Sequence, residues 1–366
     1  MGEGFRIEDV IRPEVRALTA YQADRGTYPV RLDANESPFA PSPAVEAGLR
    51  EALAGQPIHR YPDPEAEDLK RLLAPRLGVA ADQLLLGNGS DEMIQIVQMA
   101  VAGPGVTVLA PVPTFSMYEI GARALGLRFV GVPLDAAFRL DAGAWRAALE
   151  RERPRAVFLA TPGNPTGNCL DEAVILDSLD RCAGLVVVDE AYFDYSGRTL
   201  LPDLPRRPNL VVLRTLSKIG MAGLRLGILA AGRPVVAELN KVRLPYNLNV
   251  LSQVAARVAL EHAEDIRANV RAILREREGL RLALRAFPAV EVFPSDANFL
   301  LLRTPHPAAT VHRGLLARGV SVRIFGGPAA LARCLRVTVG LPEENGRFLE
   351  ALKAALDEAA PAAPAS

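Results

Sequence analysis

Seven short apolar segments between about residues 68 and 230 limit the possible folds of this chain more than any other feature. They are QLLLG, VTVLA, RFVGV, AVFLA, LVVVD, LVVLR and LGILA, and helical patterns separate them. None of these segments alternates apolar with polar residues, so we expect strands that are buried on both faces. That arrangement is typical of a parallel sheet covered by helices.

The rest of the chain predicts a second, smaller unit. A long helical stretch at about 250–287 is followed by the alternating segments VEVFP, NFLLLR, VSVRIF and LRVTVG, with a helix at 308–318 between them. This order favours an α+β lobe, and the N-terminal arm is expected to pack on it. Ser42 followed by Pro43 predicts the start of a helix, with the serine as its N-cap.

The predicted fold is therefore α/β, with a mostly parallel seven-stranded sheet in a large domain and a smaller α+β domain. A chain of 366 residues is long enough for both. The predicted boundaries are an N-terminal arm at 1–44 that forms part of the small domain, a large domain at 45–279, a small domain at 280–356 and a disordered tail at 357–366.

The composition excludes several classes of partner. Lys plus Arg and Asp plus Glu both number 42, so no net field attracts nucleic acid or an anionic membrane. The three cysteines form no CxxC pair, and with four histidines they predict no metal site. No apolar run approaches the length of a membrane span. We therefore expect a cytoplasmic protein that binds no metal, nucleic acid or membrane.

Polar groups follow four of the predicted strands. In an open parallel sheet, ligands bind at the carboxyl ends of the strands, which is where these groups would lie. GNGSDE follows QLLL and leads into a helix, so its backbone N–H groups are suited to a phosphate. Alternatively, Gly87 and Gly89 form only a tight turn, with Ser90 or Asp91 capping the helix. TPGNPTG follows AVFLA and places Asn164 in a segment that also fits a simple turn.

Two charged residues follow the next two strands. Asp189 ends an apolar strand, where an unpaired carboxylate is costly, so it needs a ligand, a structural salt bridge or a helix to cap. Lys218 follows NLVVL in RTLSK, near Thr215, Ser217 and Arg225. A lysine that extends to solvent is the alternative for Lys218.

Taken together, these four strand ends predict one ligand, pyridoxal phosphate. Its aldehyde needs a lysine whose amine can lose its proton, and its pyridine nitrogen needs a carboxylate. Its phosphate needs N–H groups, hydroxyls and an arginine. The predicted strand ends supply all of these groups at one edge of the sheet.

The same motifs, in the same order, resemble the fold-type I aminotransferases and, within them, the histidinol-phosphate aminotransferases. They are LLLGNGSDE, PVPTFSMY, TPGNPTG, VVVDEAYFDYSG, RTLSKIGMAGLRLG, RLPYNLN and CLRVTVGLPEEN. The resemblance covers the chain from LTAYQ near residue 18 to about residue 356. It implies a homodimer that uses pyridoxal phosphate to transaminate histidinol phosphate with 2-oxoglutarate in histidine biosynthesis.

The resemblance also implies roles for single residues around the cofactor. Lys218 would bond to the cofactor and move a proton, and Asp189 would pair with the ring nitrogen. Tyr192 would join these two in the chemistry. The further cofactor contacts it implies are Asn164 and Tyr192 at the phenolate oxygen, Ser90, Asp91, Ser217 and Arg225 at the phosphate, Phe115 on the ring face, and Tyr61 from the other subunit.

On the substrate side, the resemblance implies that Arg336 binds the anionic group with help from Arg323, while Tyr21 and Asn35 close over the substrate. Solvated arginines at a strand edge are the alternative for Arg336 and Arg323. The sequence departs from the family's usual pattern at two places. Phe115 stands where many relatives have tyrosine, and the segment from Lys218 to Arg225 is one residue shorter than in many relatives.

Other functions fit parts of the pattern. An aromatic or broad-specificity aminotransferase and a threonine-phosphate decarboxylase would use the same cofactor site. A regulator that binds the cofactor as an effector is disfavoured because the motifs begin almost at once, which leaves no room for a DNA-binding domain. A nicotinamide-dependent dehydrogenase is disfavoured because no GxGxxG follows the first strand.

Overall fold

The computed structural model describes residues 5–20 and 26–359. Its strands are β1 Val30–Leu32, β2 Leu84–Asn88, β3 Thr107–Val112, β4 Arg128–Pro133, β5 Ala156–Ala160, β6 Leu185–Asp189, β7 Leu210–Thr215, β8 Leu226–Ala231, β9 Glu291–Val292, β10 Phe299–Arg303, β11 Val320–Val322 and β12 Cys334–Thr338. Its helices are α1 Ile7–Val10, α2 Pro13–Arg16, α3 Pro43–Leu53, α4 Glu67–Leu77, α5 Gly89–Val101, α6 Met117–Ala124, α7 Ala142–Glu152, α8 Glu172–Arg181, α9 Phe193–Ser196, α10 Arg233–Asn240, α11 Val250–Glu261, α12 Ala263–Ala283, α13 Ala308–Ala317 and α14 Pro342–Ala359.

The central sheet has seven strands in the order β2-β8-β7-β6-β5-β3-β4. All seven apolar segments form its strands, which confirms the predicted α/β class and the mostly parallel sheet. Strand β8 is the exception, because it pairs antiparallel with both β2 and β7. An apolar run carries no signal of strand direction, so the sequence did not single out β8.

Both faces of this sheet are buried along its central strands, which explains why those strands lack polar alternation. Val186 and Val188 of β6 point into the core layer that contains residues of α4, α7 and α8. Val187, between them, points into the opposite layer, with residues of α5 and α6. The carboxyl ends of the parallel strands are thus left as the place where polar side chains meet.

The smaller unit combines both ends of the chain. Strands β12, β10 and β9 form an antiparallel sheet, and β1 from the N-terminal arm pairs in parallel with β11. Val30 and Leu32 of β1 are buried in one core with Val320 and Val322 of β11. Arg31 lies on the other face of this pair.

The helix boundaries both confirm and correct the predictions. Ser42 accepts a hydrogen bond from the Val45 N–H at 3.3 Å, which confirms the predicted cap of α3. The predicted helix at 250–287 is two helices, because the backbone at His262 leaves the helical conformation between α11 and α12.

Two of the predicted domain boundaries fall within observed helices. The boundary at 279/280 falls inside α12, and residues 357–359 of the predicted tail form the end of α14. Within the described part of the chain, we find no helix with the length and hydropathy needed to cross a membrane.

Candidate active site

One cavity lies at the carboxyl ends of the central strands, and the predicted cofactor residues line it. The exception is Tyr61. The predicted residues around this cavity are Ser90, Asp91, Phe115, Asn164, Asp189, Tyr192, Ser217, Lys218 and Arg225. They come from the ends of β2, β5, β6 and β7, from the segment before α6 and from the turn before β8. The fold therefore brings together groups that are spread over more than a hundred residues of sequence.

One end of the cavity is suited to a phosphate. Strand β2 passes directly into α5, so the first N–H groups of α5 at Ser90 and Asp91 have no partner within the helix. Arg225 lies opposite, with Nη1 3.4 Å from Ser217 Oγ and Nη2 3.2 Å from Asp91 Oδ2. A helix N-terminus, a hydroxyl and a guanidinium thus converge, which is the donor set that a phosphate ester requires.

Glycine is required where β2 enters α5. Gly89 has a φ of 75°, and its N–H donates to the Arg225 carbonyl at 2.7 Å. A Cβ on Gly89 would lie 2.6 Å from Nη2 of Arg225. The missing side chain leaves room for the guanidinium beside the helix N-terminus.

The segment between Lys218 and Arg225 is compact. It contains a short 3₁₀ turn at Ser217–Ile219, Gly220 with a φ of 98°, and a second 3₁₀ turn at Ala222–Leu224. With this short spacing, Arg225 still reaches Ser217 and Asp91.

Asp189 forms the floor of the cavity at the end of β6. The Tyr118 hydroxyl donates to its Oδ2 at 2.6 Å, and the Ala191 N–H donates to its Oδ1 at 3.0 Å. Burial raises the pKa of Asp189, while these two hydrogen bonds act in the opposite direction. A protonated ring nitrogen beside this carboxylate would relieve the cost of burying its charge.

Tyr118 is the functional residue that sequence reasoning missed. It is fully buried in α6, stacks on Phe158 at 4.7 Å and meets Phe115 edge to face at 5.7 Å. Burial and the neighbouring Asp189 carboxylate raise the pKa of Tyr118 well above its ordinary value, so the phenol keeps its proton and remains a donor. Its position in the PVPTFSMY motif was the available signal.

Asn164 and Tyr192 each use one polar atom within the protein and leave a donor for a ligand. Asn164 Oδ1 accepts from Arg336 Nη1 at 2.6 Å, so the amide nitrogen remains to donate. The Tyr192 hydroxyl accepts from Asn35 Nδ2 at 2.9 Å, so its own proton remains to donate. Asn35 is in turn buried and receives a hydrogen bond from Asn298.

Lys218 projects from the turn after β7 into the cavity. Its backbone carbonyl accepts from the Tyr195 hydroxyl at 2.6 Å, which fixes the turn. Its Nζ lies 5.9 Å from the centre of the Tyr192 ring. Within residues 5–20 and 26–359, no carboxylate lies within ion-pair distance of this amine, which leaves it available for chemistry with a ligand.

Arg336 of β12 lines a second cavity, which adjoins the first at Asn164 and Lys218. It is 7% exposed, and its Nη2 donates to the Asp33 carbonyl at 2.6 Å. Arg323 exchanges backbone hydrogen bonds with Arg336, at 3.0 and 2.9 Å. Both arginines and Asn35 line the second cavity, which also borders Lys218. The two guanidinium groups therefore give this side of the candidate site positive charge.

The remaining predicted residues lie elsewhere. Tyr61 is 80% exposed, stacks on Tyr246 at 4.5 Å and lines neither of these two cavities. Tyr21 lies outside the described residues. No group of three or more histidine, cysteine, aspartate or glutamate side chains is arranged to hold a metal ion in the described part of the chain.

Comparison with known proteins identifies the family of this chain. The family model described as aminotransferase class I and II matches residues 28–352. The chain is 45% identical to histidinol-phosphate aminotransferase 2 of Nitrosococcus oceani over 352 residues, covering 95% of this chain and 98% of the relative. It is also 45% identical to the histidinol-phosphate aminotransferase of Aquifex aeolicus, with coverages of 94% and 97%.

The fold is also similar to that of a solved structure. Histidinol-phosphate aminotransferase of Sinorhizobium meliloti, in complex with pyridoxal-5'-phosphate, superposes with a TM-score of 0.86 at 26% identity, covering 96% of this chain and 98% of that one. The cavity, the motifs and the near full-length matches lead to one conclusion: the chain belongs to the class I and II aminotransferase family.

Proposed function

We propose that this protein is a pyridoxal-phosphate-dependent aminotransferase that moves the amino group of L-histidinol phosphate to 2-oxoglutarate, as a step of histidine biosynthesis. The observation that carries the proposal is the position of Lys218 on the walls of two adjoining cavities, one lined by Asp189 and the other by Arg336. The substrate follows from the relatives, which are named histidinol-phosphate aminotransferases and match at 45% identity over nearly the whole chain.

The residues of the cavity fit the cofactor. Its phosphate suits the N-terminus of α5 with Ser217 and Arg225, in the space that Gly89 leaves open. Phe115 would pack on its ring, and the Asp189 carboxylate would pair with its ring nitrogen. When bound, pyridoxal phosphate supplies an aldehyde that takes up the substrate amine and a ring that withdraws electrons from the α-carbon.

Lys218 and Asp189 have complementary roles in this proposal. The Lys218 amine would remove the proton from the carbon that carries the substrate amine and hold it for transfer. Asp189 stabilises positive charge at the ring nitrogen, and its carboxylate is held by Tyr118. The carboxylate is buried, so its interaction with that charge is weakened little by solvent.

Asn164 and Tyr192 orient the cofactor and connect it to the substrate side. The amide of Asn164 and the hydroxyl of Tyr192 would donate to the phenolate oxygen of the cofactor. Because Asn164 Oδ1 accepts from Arg336, the orientation of this amide is fixed by the same arginine that meets the substrate anion. Arg336 binds the phosphate of histidinol phosphate in one half-reaction and a carboxylate of glutamate in the other.

We also propose a homodimer in the cytoplasm. Large apolar side chains are exposed around Tyr61, which favours a protein partner rather than solvent. They are Ile58, Tyr61, Leu244, Tyr246 and Leu251. In this arrangement Tyr61 reaches the cofactor phosphate of the other subunit. That position accounts for the exposure of Tyr61 in the single chain.

The test of the activity begins with the substrates. Purified protein with pyridoxal phosphate is expected to transaminate histidinol phosphate with a kcat/KM far above that for phenylalanine. Comparable values would favour the broad-specificity alternative. Release of carbon dioxide from threonine phosphate, without formation of glutamate from 2-oxoglutarate, would favour the decarboxylase.

The test of the mechanism uses a matched pair of lysine variants. Lys218→Ala is expected to lose transamination, and borohydride is expected to attach the cofactor to wild-type protein at a peptide that contains Lys218. Lys241→Ala is the control, since Lys241 is exposed and pairs with Glu238 at 2.6 Å. Native activity in the Lys218→Ala protein would disprove the mechanism.

A further inference from the structure

The second cavity holds more positive charge than one anionic group requires. Besides Lys218, the charged residues that line it are three arginines, Arg31, Arg323 and Arg336, and one aspartate, Asp33. Arg336 already binds the substrate anion in the proposed function, and Arg323 lies beside it in the neighbouring strand. Arg31 has no role in it.

Strand register places Arg31 on the same face as the other two arginines. Arg31 is opposite Ser321 in the β1–β11 pair, and Arg323 lies two residues beyond Ser321, so both point to one side. Arg323 is opposite Arg336 in the neighbouring strand, which puts Arg336 on that side as well. The opposite side is the apolar core that contains Val30, Leu32 and Val322.

The same register sets the distance between the arginines. Arg31 and Arg336 are separated by two strand spacings and two residues, or about 12 Å between Cα atoms. Two long arginine side chains can therefore reach one small ligand from opposite ends. They would not crowd around the same anionic group.

Arg31 is also held loosely. Its side chain is 50% exposed, and it forms an ion pair with Asp33, with Nη2 3.5 Å from Oδ2. That distance is at the limit of a hydrogen bond. Arg336, in contrast, is 7% exposed and donates two hydrogen bonds of 2.6 Å. Arg31 can thus turn toward a ligand without breaking a strong contact.

The two amino donors of the proposed reaction differ in where they carry charge. Histidinol phosphate has one anionic group, and its imidazole is mostly neutral above the ordinary pKa of about 6.5. Glutamate has two carboxylates at opposite ends. When Arg336 binds the carboxylate next to the amine, the side-chain carboxylate lies in the space otherwise taken by the imidazole. A desolvated carboxylate there needs a cation of its own.

We infer that Arg31 is that cation: it binds the side-chain carboxylate of the dicarboxylic amino donor and is not needed for the phosphate substrate. The inference rests on the proposed function. It assigns Arg31 as a residue that determines specificity for one of the two substrates. Asp33 keeps the guanidinium at the cavity wall when the imidazole is present.

The experiment compares glutamate with norvaline, which has the same carbon chain but a methyl group in place of the side-chain carboxylate. The rate of amino transfer from each donor to the holoenzyme is measured for wild type, Arg31→Met and Arg31→Lys. Arg31→Met is expected to lower kcat/KM for glutamate roughly tenfold or more. The values for norvaline and histidinol phosphate should change by less than about threefold, and Arg31→Lys should lie between the other two proteins.

Equilibrium binding gives a readout that is independent of turnover. Calorimetry with glutarate, an unreactive dicarboxylate, should show weaker binding to Arg31→Met than to wild type, while binding of butyrate should be nearly equal. Arg128→Met is the matched control. Arg128 is another exposed strand arginine, and its partner is Glu152, away from the cavity.

Two results would overturn the inference. Equal losses for glutamate and norvaline would mean that Arg31 only supports the fold. A larger loss for histidinol phosphate than for glutamate would mean that Arg31 belongs to the phosphate site. Failure of the proposed function is a separate result, since it would appear as absent turnover of histidinol phosphate by the wild-type protein.

Discussion

At the scale of single residues, the buried carboxylate of Asp189 depends on Tyr118. Burial of an ionised carboxylate is unfavourable, and it raises the pKa of Asp189. The Tyr118 hydroxyl at 2.6 Å favours the ionised form, and its stacking on Phe158 fixes where that hydroxyl points. Tyr118 is therefore a positioning residue for Asp189.

This role predicts the effect of Tyr118→Phe. Loss of a hydrogen bond to a charged group should lower kcat about tenfold or more, with a smaller change in KM. The hydrogen bond lowers the pKa of Asp189, so its removal raises that pKa further. In the variant, the Asp189 carboxylate therefore becomes protonated at a higher pH than in the wild-type protein. The acid limb of the kcat/KM profile should therefore move to higher pH, which steady-state rates across pH would measure.

A matched control separates this effect from general damage to the core. Ser178→Ala removes another buried hydroxyl, which accepts from Trp145 Nε1 at 2.8 Å, away from the cavity. It should lower the melting temperature but leave the pH profile in place. An unchanged acid limb in Tyr118→Phe would contradict the positioning role.

At the scale of elements, the junction of β2 and α5 builds the phosphate end of the site. The chain turns from strand to helix at Gly89 without a loop, and the Gly89 N–H bonds to the Arg225 carbonyl. Gly227 of β8 packs against the backbone of Gly89 so closely that a side chain there would collide with it. Three neighbouring elements, β2, α5 and β8, are thus fitted together around one helix N-terminus.

Gly89→Ala should weaken cofactor binding. Its Cβ would lie 2.6 Å from Nη2 of Arg225 and displace the guanidinium, in addition to strain of about 1–2 kcal/mol at a positive φ. Gly105→Ala is the control, because Gly105 has a φ of 70° and nothing within 4 Å of its added Cβ. Both variants should lose similar stability, and only Gly89→Ala should show a raised Kd for pyridoxal phosphate in a fluorescence titration. Equal affinities in the two variants would refute this account.

The elements also show which parts of the fold the sequence could predict. Strands buried on both faces leave apolar runs, so all seven central strands were predictable, and the Ser42–Pro43 cap was predictable from local chemistry. The antiparallel direction of β8 and the break at His262 were not. Pairing with β2 and β7 decides the first, and no proline or glycine marks the second.

At the scale of the whole molecule, only part of the candidate site could be predicted from the sequence. Groups at strand ends were predictable because parallel strands place them at one edge. Tyr118 was missed because it meets Asp189 across 71 residues of sequence and lies among apolar neighbours. Arg31 was missed because its position depends on a strand pair that joins the N-terminal arm to β11. Such contacts between distant segments leave no local pattern.

At this scale, the proposed homodimer implies that each active site contains residues of both chains. Tyr61 lies outside both cavities of its own chain, next to Tyr246 and exposed apolar residues. The segment that carries it is nonetheless fixed, because Arg243 donates to Glu65 at 2.7 Å and Lys70 to the same carboxylate at 2.9 Å. A rigid segment that presents an exposed tyrosine is suited to contact a second copy of the chain.

Co-expression of two impaired variants tests this arrangement. In a heterodimer of Lys218→Ala and Tyr61→Ala, one site would carry both substitutions. The other would combine an intact Lys218 with an intact Tyr61 of the partner subunit. Co-expression should therefore restore transamination to well above that of either variant alone, whereas Lys218→Ala mixed with Asp189→Asn should restore none, since those two residues act within one chain. If Tyr61 served its own chain, every site in the first mixture would stay impaired, and the measured rate would not rise above that of Tyr61→Ala.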